Sequence, residues 1–186
     1  MVLKIIVGII IALYPLAVYF GLQVFEVKTL GLLLLGVLVL RMFASKASMS
    51  GQLILMTAGG CLLASAIVFT NETLYLKLYP VLMNGLMFAV FISTLLWPPS
   101  MIERLARLKE PDLEDDAIEY TKKVTVLWCV FFVLNGSIAL WTVVEGSMEQ
   151  WTLYNGLIAY LLMGTLMGAE LCVRFWVKRS KGAVDV

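Results

Sequence analysis

Six stretches of this sequence are apolar over about the length that a helix needs to cross a bilayer: residues 5–25, 27–44, 52–69, 76–97, 124–144 and 152–175. A hydrocarbon core takes roughly 20 helical residues, with about 17 the shortest that reaches across. No water satisfies an exposed backbone N–H or C=O inside that layer, so each stretch reads as a helix. The expected fold is all-α: one polytopic transmembrane bundle over residues 1–186, with about six spans.

Composition supports this. Hydrophobic residues make up 61% of the chain and charged residues 15%, against roughly half and a quarter in soluble domains. The mean hydropathy is +0.94. A soluble domain of this length would need far more polar surface. Residues 1–22 resemble a signal peptide in placing Lys4 ahead of an apolar run. The run is too long for a signal h-region and no small-x-small cleavage pattern follows it, so it is read as a retained first span.

The basic residues give an orientation. With the N-terminus inside, Lys4, Arg41, Lys46, Arg104, Arg107, Lys109, Lys122, Lys123, Arg174, Lys178, Arg179 and Lys181 face the cytoplasm. Only Lys28 and Lys77 remain outside, as the positive-inside rule requires. The stretch 27–44 is the weakest span, since Lys28 and Arg41 bracket its apolar core, and a five-span count is the alternative. Dropping it breaks the charge division, so six spans with both termini in the cytoplasm are expected. Trp97, Trp128 and Trp176 fall at inner ends and Trp141 and Trp151 at outer ends, where amphipathic rings suit the headgroup layer.

The longest polar segment is the cytoplasmic loop 98–123. Ser100-Met101-Ile102-Glu103 has the pattern of a capping box. Met101, Ile102, Leu105 and Leu108 recur at helical spacing with Arg104, Arg107 and Lys109 between them. That pattern predicts a short amphipathic helix on the inner membrane surface, broken by Pro111. Glu110, Asp112, Glu114, Asp115, Asp116 and Glu119 follow. They read as a solvated turn and first helical turn, where carboxylates meet the positive end of the helix dipole. A divalent-cation or protein-partner site is the competing reading, without calcium-loop spacing behind it.

Polar groups inside a membrane are costly and need a reason. Asn84-Gly85, Asn135-Gly136 and Asn155-Gly156 lie in three different spans, in the outer half of the bilayer, with Tyr14, Tyr79 and Tyr154 at similar depths. Asparagine can tie membrane helices together while glycine lets them approach. The same residues could instead line a polar pocket opening outward, which requires the asparagines to face one another. Glu170 and Arg174 are spaced i, i+4 near the inner end of the last span, as an ion pair neutralising a carboxylate; proton coupling at Glu170 is the alternative. Gly164 with Gly168, and Gly60 with Ala64, have small-xxx-small spacing for helix packing within or between chains. Leu13-Tyr14-Pro15 and Leu78-Tyr79-Pro80 echo each other as an inverted repeat would, as in transporters.

The chain has no histidine, and Cys61, Cys129 and Cys172 are isolated in separate apolar runs. Neither a metal site nor a cofactor is expected. A net charge of +1 without a basic stripe gives no nucleic-acid partner.

The run Leu127-Trp128-Cys129-Val130-Phe131-Phe132, with Gly136 after it, resembles the fifth-span signature of the bacterial intracellular septation protein A family, the inner-membrane-spanning YciB-like proteins. Pro15-Leu16, Asn71-Glu72, Lys77, Ile102, Arg104 and Trp151 fall in the same order. Ala139 stands where that family carries an asparagine, and the acidic stretch after Pro111 departs from it. Tyr79-Pro80, Glu110-Pro111, Asn135-Gly136 and Trp151-Thr152-Leu153-Tyr154-Asn155-Gly156 look closer to a related set of proteobacterial membrane proteins, often encoded among acyl-carrier and ketosynthase genes for aryl-polyene-type lipids. The resemblance implies the bacterial inner membrane and the cell envelope, and carries no catalytic residue across. The expected function is a non-catalytic protein of envelope or lipid biogenesis, working in the bilayer through membrane partners or a second copy of itself. The alternative is a small transporter or flippase for a lipid-linked or small polar substrate.

Overall fold

A computed structural model describes residues 14–44, 51–70, 72–108 and 110–182. Among them the secondary structure is helical throughout. In chain order the helices are α1 (Tyr14–Gly21), α2 (Val27–Ala44), α3 (Gly51–Thr70), α4 (Thr73–Leu96), α5 (Met101–Arg107), α6 (Asp115–Val144), α7 (Met148–Leu153) and α8 (Ala159–Gly182). A π-turn, Tyr154–Ile158, joins α7 to α8 without a break. Residues 5–13 of the first expected span lie outside the described residues.

Three helical segments among the described residues are long and apolar enough to cross a membrane: Thr73–Leu96, Asp115–Val144 and Met148–Arg174. Val27–Leu40 and Thr57–Thr70 are apolar but shorter. Helix α4 starts three residues before its expected span and α6 nine residues before. The early start of α6 comes from the acidic stretch. Asp115 and Asp116 occupy its first turn, and Glu119 pairs with Lys123 at 2.7 Å one turn on. These groups extend the helix past its apolar part, as the solvated reading expects.

The helices pack in a ring. Helix α2 lies on α3, α3 on α4 and α4 on α6, while α1 closes onto α7 and the π-turn. Val18, Leu34, Leu38, Ala64, Ile67, Leu76, Tyr79, Val143 and Trp151, drawn from α1, α2, α3, α4, α6 and α7, form the core at one end. The other end is aromatic. Phe91 meets Phe132 edge-on at 5.1 Å, and Trp128 lies 5.7 Å from Phe132. Within the run 127–132, Trp128, Cys129, Phe131 and Phe132 supply packing, while Leu127 and Val130 are exposed.

Close approach explains the small residues on α2 and α3. A Cβ on Gly31 would sit 2.5 Å from Ile67 Cγ2, and one on Gly60 would sit 3.0 Å from Leu38 Cδ1. Ala64 is fully buried beside them. Gly60 and Ala64 are therefore an internal packing face. Gly164 and Gly168 differ: both are exposed, and a Cβ on either meets nothing within 4 Å. Only 6% of the most apolar window of Met148–Arg174 is buried, so α8 leaves most of its apolar surface to its surroundings.

The capping residues do their work locally. The backbone N–H of Ser100 donates to Glu103 Oε2 at 3.3 Å, the glutamate half of the expected box. Glu103 is buried and pairs with Arg107 at 2.9 Å. Arg104 donates to the carbonyls of Pro99 and Trp97, and the Ile102 N–H donates to Thr125 Oγ1, fixing α5 against α6. A second box spans Ser147 to Gln150. Ser147 N–H donates to Gln150 Oε1 at 2.9 Å, and Gln150 N–H to Ser147 Oγ at 3.3 Å.

Candidate functional site

Asn84 is the twelfth of the 24 residues of α4. Its Nδ2 donates to the Pro80 carbonyl at 2.8 Å, one turn back. Its Oδ1 then faces α6 and accepts from Asn135 Nδ2 at 3.0 Å. Gly136 makes this contact possible, since a Cβ there would lie 3.1 Å from Asn84 Cβ. Asn135 Oδ1 in turn accepts from the Tyr154 hydroxyl at 2.9 Å. One chain of hydrogen bonds thus runs from the π-turn through α6 to α4. Asn135 and Tyr154 are both buried, and hydrogen bonds at such depth compete with no water.

The π-turn places Asn155 beside them. The Ala159 N–H reaches the Tyr154 carbonyl, five residues back. Widening the turn lets the neighbouring residues Tyr154 and Asn155 both be buried, and such turns recur at functional positions. Asn155 Nδ2 donates to the Trp151 carbonyl at 2.9 Å and to Thr142 Oγ1 at 3.2 Å. Thr142 Oγ1 donates to the Ala139 carbonyl at 2.7 Å.

These residues border a half-open cavity of ≈ 200 Å³ between α4, α6, the π-turn and α8. Its polar wall is Tyr79, Asn84, Asn135 and Asn155; Met83, Met87, Phe132 and Met163 supply much of the apolar wall. Tyr160, 40% exposed, stands at its edge. Carboxylates, amines and thiols are absent from the wall among the described residues.

The structure therefore brings Asn84, Asn135 and Tyr154 into one network, and Tyr79 and Asn155 onto the same cavity. Tyr154 stands behind Asn135. Tyr14 begins α1, and its side chain lies outside the described residues. Glu170 and Arg174 are paired at 2.9 Å on α8, apart from the cavity, and the Tyr120 hydroxyl reaches the Glu170 carbonyl. Thr142 and the methionines are the contributors that sequence reading missed. Their signal was helical spacing: Pro80, Met83, Asn84 and Met87 run i, i+3, i+4, i+7, and Thr142 is two turns beyond Asn135.

Two residues at the same end of the bundle have other roles than expected. Trp151, expected as a headgroup anchor, is fully buried, and its Nε1 donates to the Lys77 carbonyl at 3.0 Å. Lys77 Nζ donates to the Val143 carbonyl at 3.3 Å. This places a cation on the last turn of α6, which has no basic residue of its own. Trp97 and Trp141 are 70% and 54% exposed.

Comparison with known proteins gives no relative: no protein-family model, no curated protein and no solved structure matches the chain.

Proposed function

We propose that this chain is a non-catalytic, multi-pass inner-membrane protein of envelope or lipid biogenesis that handles a small polar or lipid-linked molecule in the Asn84/Asn135/Asn155 cavity, as a transporter or flippase does. The observation that carries this reading is a cavity bordered by buried amides in helices long enough to span a bilayer. Polar groups buried at membrane depth are costly, and beyond tying helices together they can mark a substrate path. The non-catalytic part is carried over from the sequence, which holds no histidine. The envelope assignment rests on the resemblance to the septation protein A family.

A second mode, action through a membrane partner or a second copy, is favoured by one observation. The Gly164 and Gly168 face is open within the chain, and small-xxx-small faces let helices approach.

The proposed topology is six spans with both termini in the cytoplasm. In it the end holding Lys77, Trp151 and Val143 faces outward, and α5 lies at the inner surface. A cytoplasm-dependent reporter fused to the C-terminus is expected to be active. Activity only from a periplasm-dependent reporter would remove this topology.

The cavity reading is tested by Met163→Trp, which fills the space from α8 and leaves the amide network untouched. In cells lacking the native gene, this variant is expected to reach the membrane at native level and lose complementation. Full complementation by Met163→Trp would reduce the cavity to a packing defect and favour the partner mode.

A further inference from the structure

We infer that the occupant of this cavity is an amphiphile with an uncharged hydrogen-bonding head, such as a glycerol hydroxyl or an amide, on an aliphatic chain. This inference rests on the reading that the cavity holds a substrate.

The polar atoms define the head. Asn155 is 4% exposed and spends its amide N–H groups on Trp151 and Thr142. Its Oδ1 has no hydrogen-bond partner among the described residues, while the side chain borders the cavity. An amide oxygen left open at a cavity wall can accept from a donor placed there. Asn84 and Asn135 each spend one amide hydrogen in the network. A primary amide carries two, so each keeps a second. The cavity thus offers an acceptor and two donors, which a hydroxyl, itself donor and acceptor, answers fully.

Charge and size narrow the class. A charged head would enter a wall with no opposite charge, at the middle of α4, where its desolvation goes uncompensated. The volume of ≈ 200 Å³ falls below the roughly 300–1,000 Å³ that encloses a drug-sized ligand. It therefore encloses a head and a few methylenes, and the remaining chain leaves by the open side. Met83, Met87 and Met163 suit that stem, since thioether side chains adapt to varied aliphatic shapes.

The test compares three ten-carbon amphiphiles on the full chain in nanodiscs: 1-monodecanoylglycerol, decyl sulfate and decyltrimethylammonium. The reporters are the ¹³C-methyl resonances of Met83, Met87 and Met163. Saturable shifts at all three are expected with the monoglyceride alone. Asn155→Ala is expected to weaken that binding about threefold to tenfold, the worth of one neutral hydrogen bond. Met163→Trp, which keeps every amide, is expected to abolish it. Saturable shifts from a charged probe at equal or lower concentration would overturn the neutral-head class and leave the cavity reading standing. Equal shifts from all three would show an apolar slot that ignores the head. No shift from any probe would remove both the class and the cavity reading.

Discussion

Asn135→Leu is expected to lower the unfolding free energy by about 2 kcal/mol in bicelles. Leucine has the branching and heavy-atom count of the asparagine side chain and is the bulkier of the two, so the effect does not come from a cavity. It comes from the two groups left behind, Asn84 Oδ1 and the Tyr154 hydroxyl, which lose their shared partner. In water-soluble proteins each unsatisfied buried group costs about 1–3 kcal/mol. In a bilayer the unfolded helices also find partners, and a single interhelical hydrogen bond averages about 0.6 kcal/mol with a maximum near 1.7. Two bonds broken at once, with Asn135 buried, give the intermediate figure. The decisive measurement is the double-mutant cycle with Asn84→Leu. A coupling of about 0.6–1.7 kcal/mol is expected between the two asparagines. Purely additive losses would mean that the two amides do not hold each other.

The asparagines were legible in the sequence because polar residues in an apolar run stand out against their background. What the sequence withheld was rotation. Asn-Gly occurs three times; at Gly136 a neighbouring helix presses in, whereas a Cβ on Gly85 meets nothing within 4 Å. The same limit applies to the small-xxx-small pairs. Gly60-Ala64 faces α2 and Gly164-Gly168 faces open space. The spacing says that a backbone can come close and leaves open which one does, because a helix uniformly apolar around its axis carries no signal of its inner side. Short-range chemistry was easier to read. Glu170-x-x-x-Arg174 formed as spaced, Ser100-x-x-Glu103 formed its glutamate half, and Ser147-x-x-Gln150 carries the same legible signature as the latter. The π-turn was not legible, since nothing in the residue pattern marks the widened turn that lets Tyr154 and Asn155 both be buried. Helices α4 and α6 begin before their apolar stretches because hydropathy marks where the bilayer would stop, and a helix with charged side chains continues past that point.

The residue expected to cost most is Trp151. Trp→Ala in a soluble core costs about 3–5 kcal/mol, but part of that is transfer from water, which a bilayer does not supply. What remains is lost packing in a fully buried position among residues from α1, α2, α3, α4 and α6, together with the hydrogen bond to the Lys77 carbonyl. Trp151→Ala is therefore expected to destabilise by about 3 kcal/mol. Trp151→Phe keeps a ring in place and loses the N–H, for about 1 kcal/mol. The pair of variants separates the two contributions, and equilibrium unfolding in the same bicelles measures both. An interfacial anchor would behave differently. Its ring would rest among headgroups, Trp151→Phe and Trp151→Ala would each cost well under 1 kcal/mol, and Trp141→Ala, exposed at the same end, would match them. A loss of about 3 kcal/mol at Trp151 beside a negligible loss at Trp141 would mark Trp151 as the side chain locking the first turn of α7 to α4, and so setting the position of the π-turn that carries Asn155.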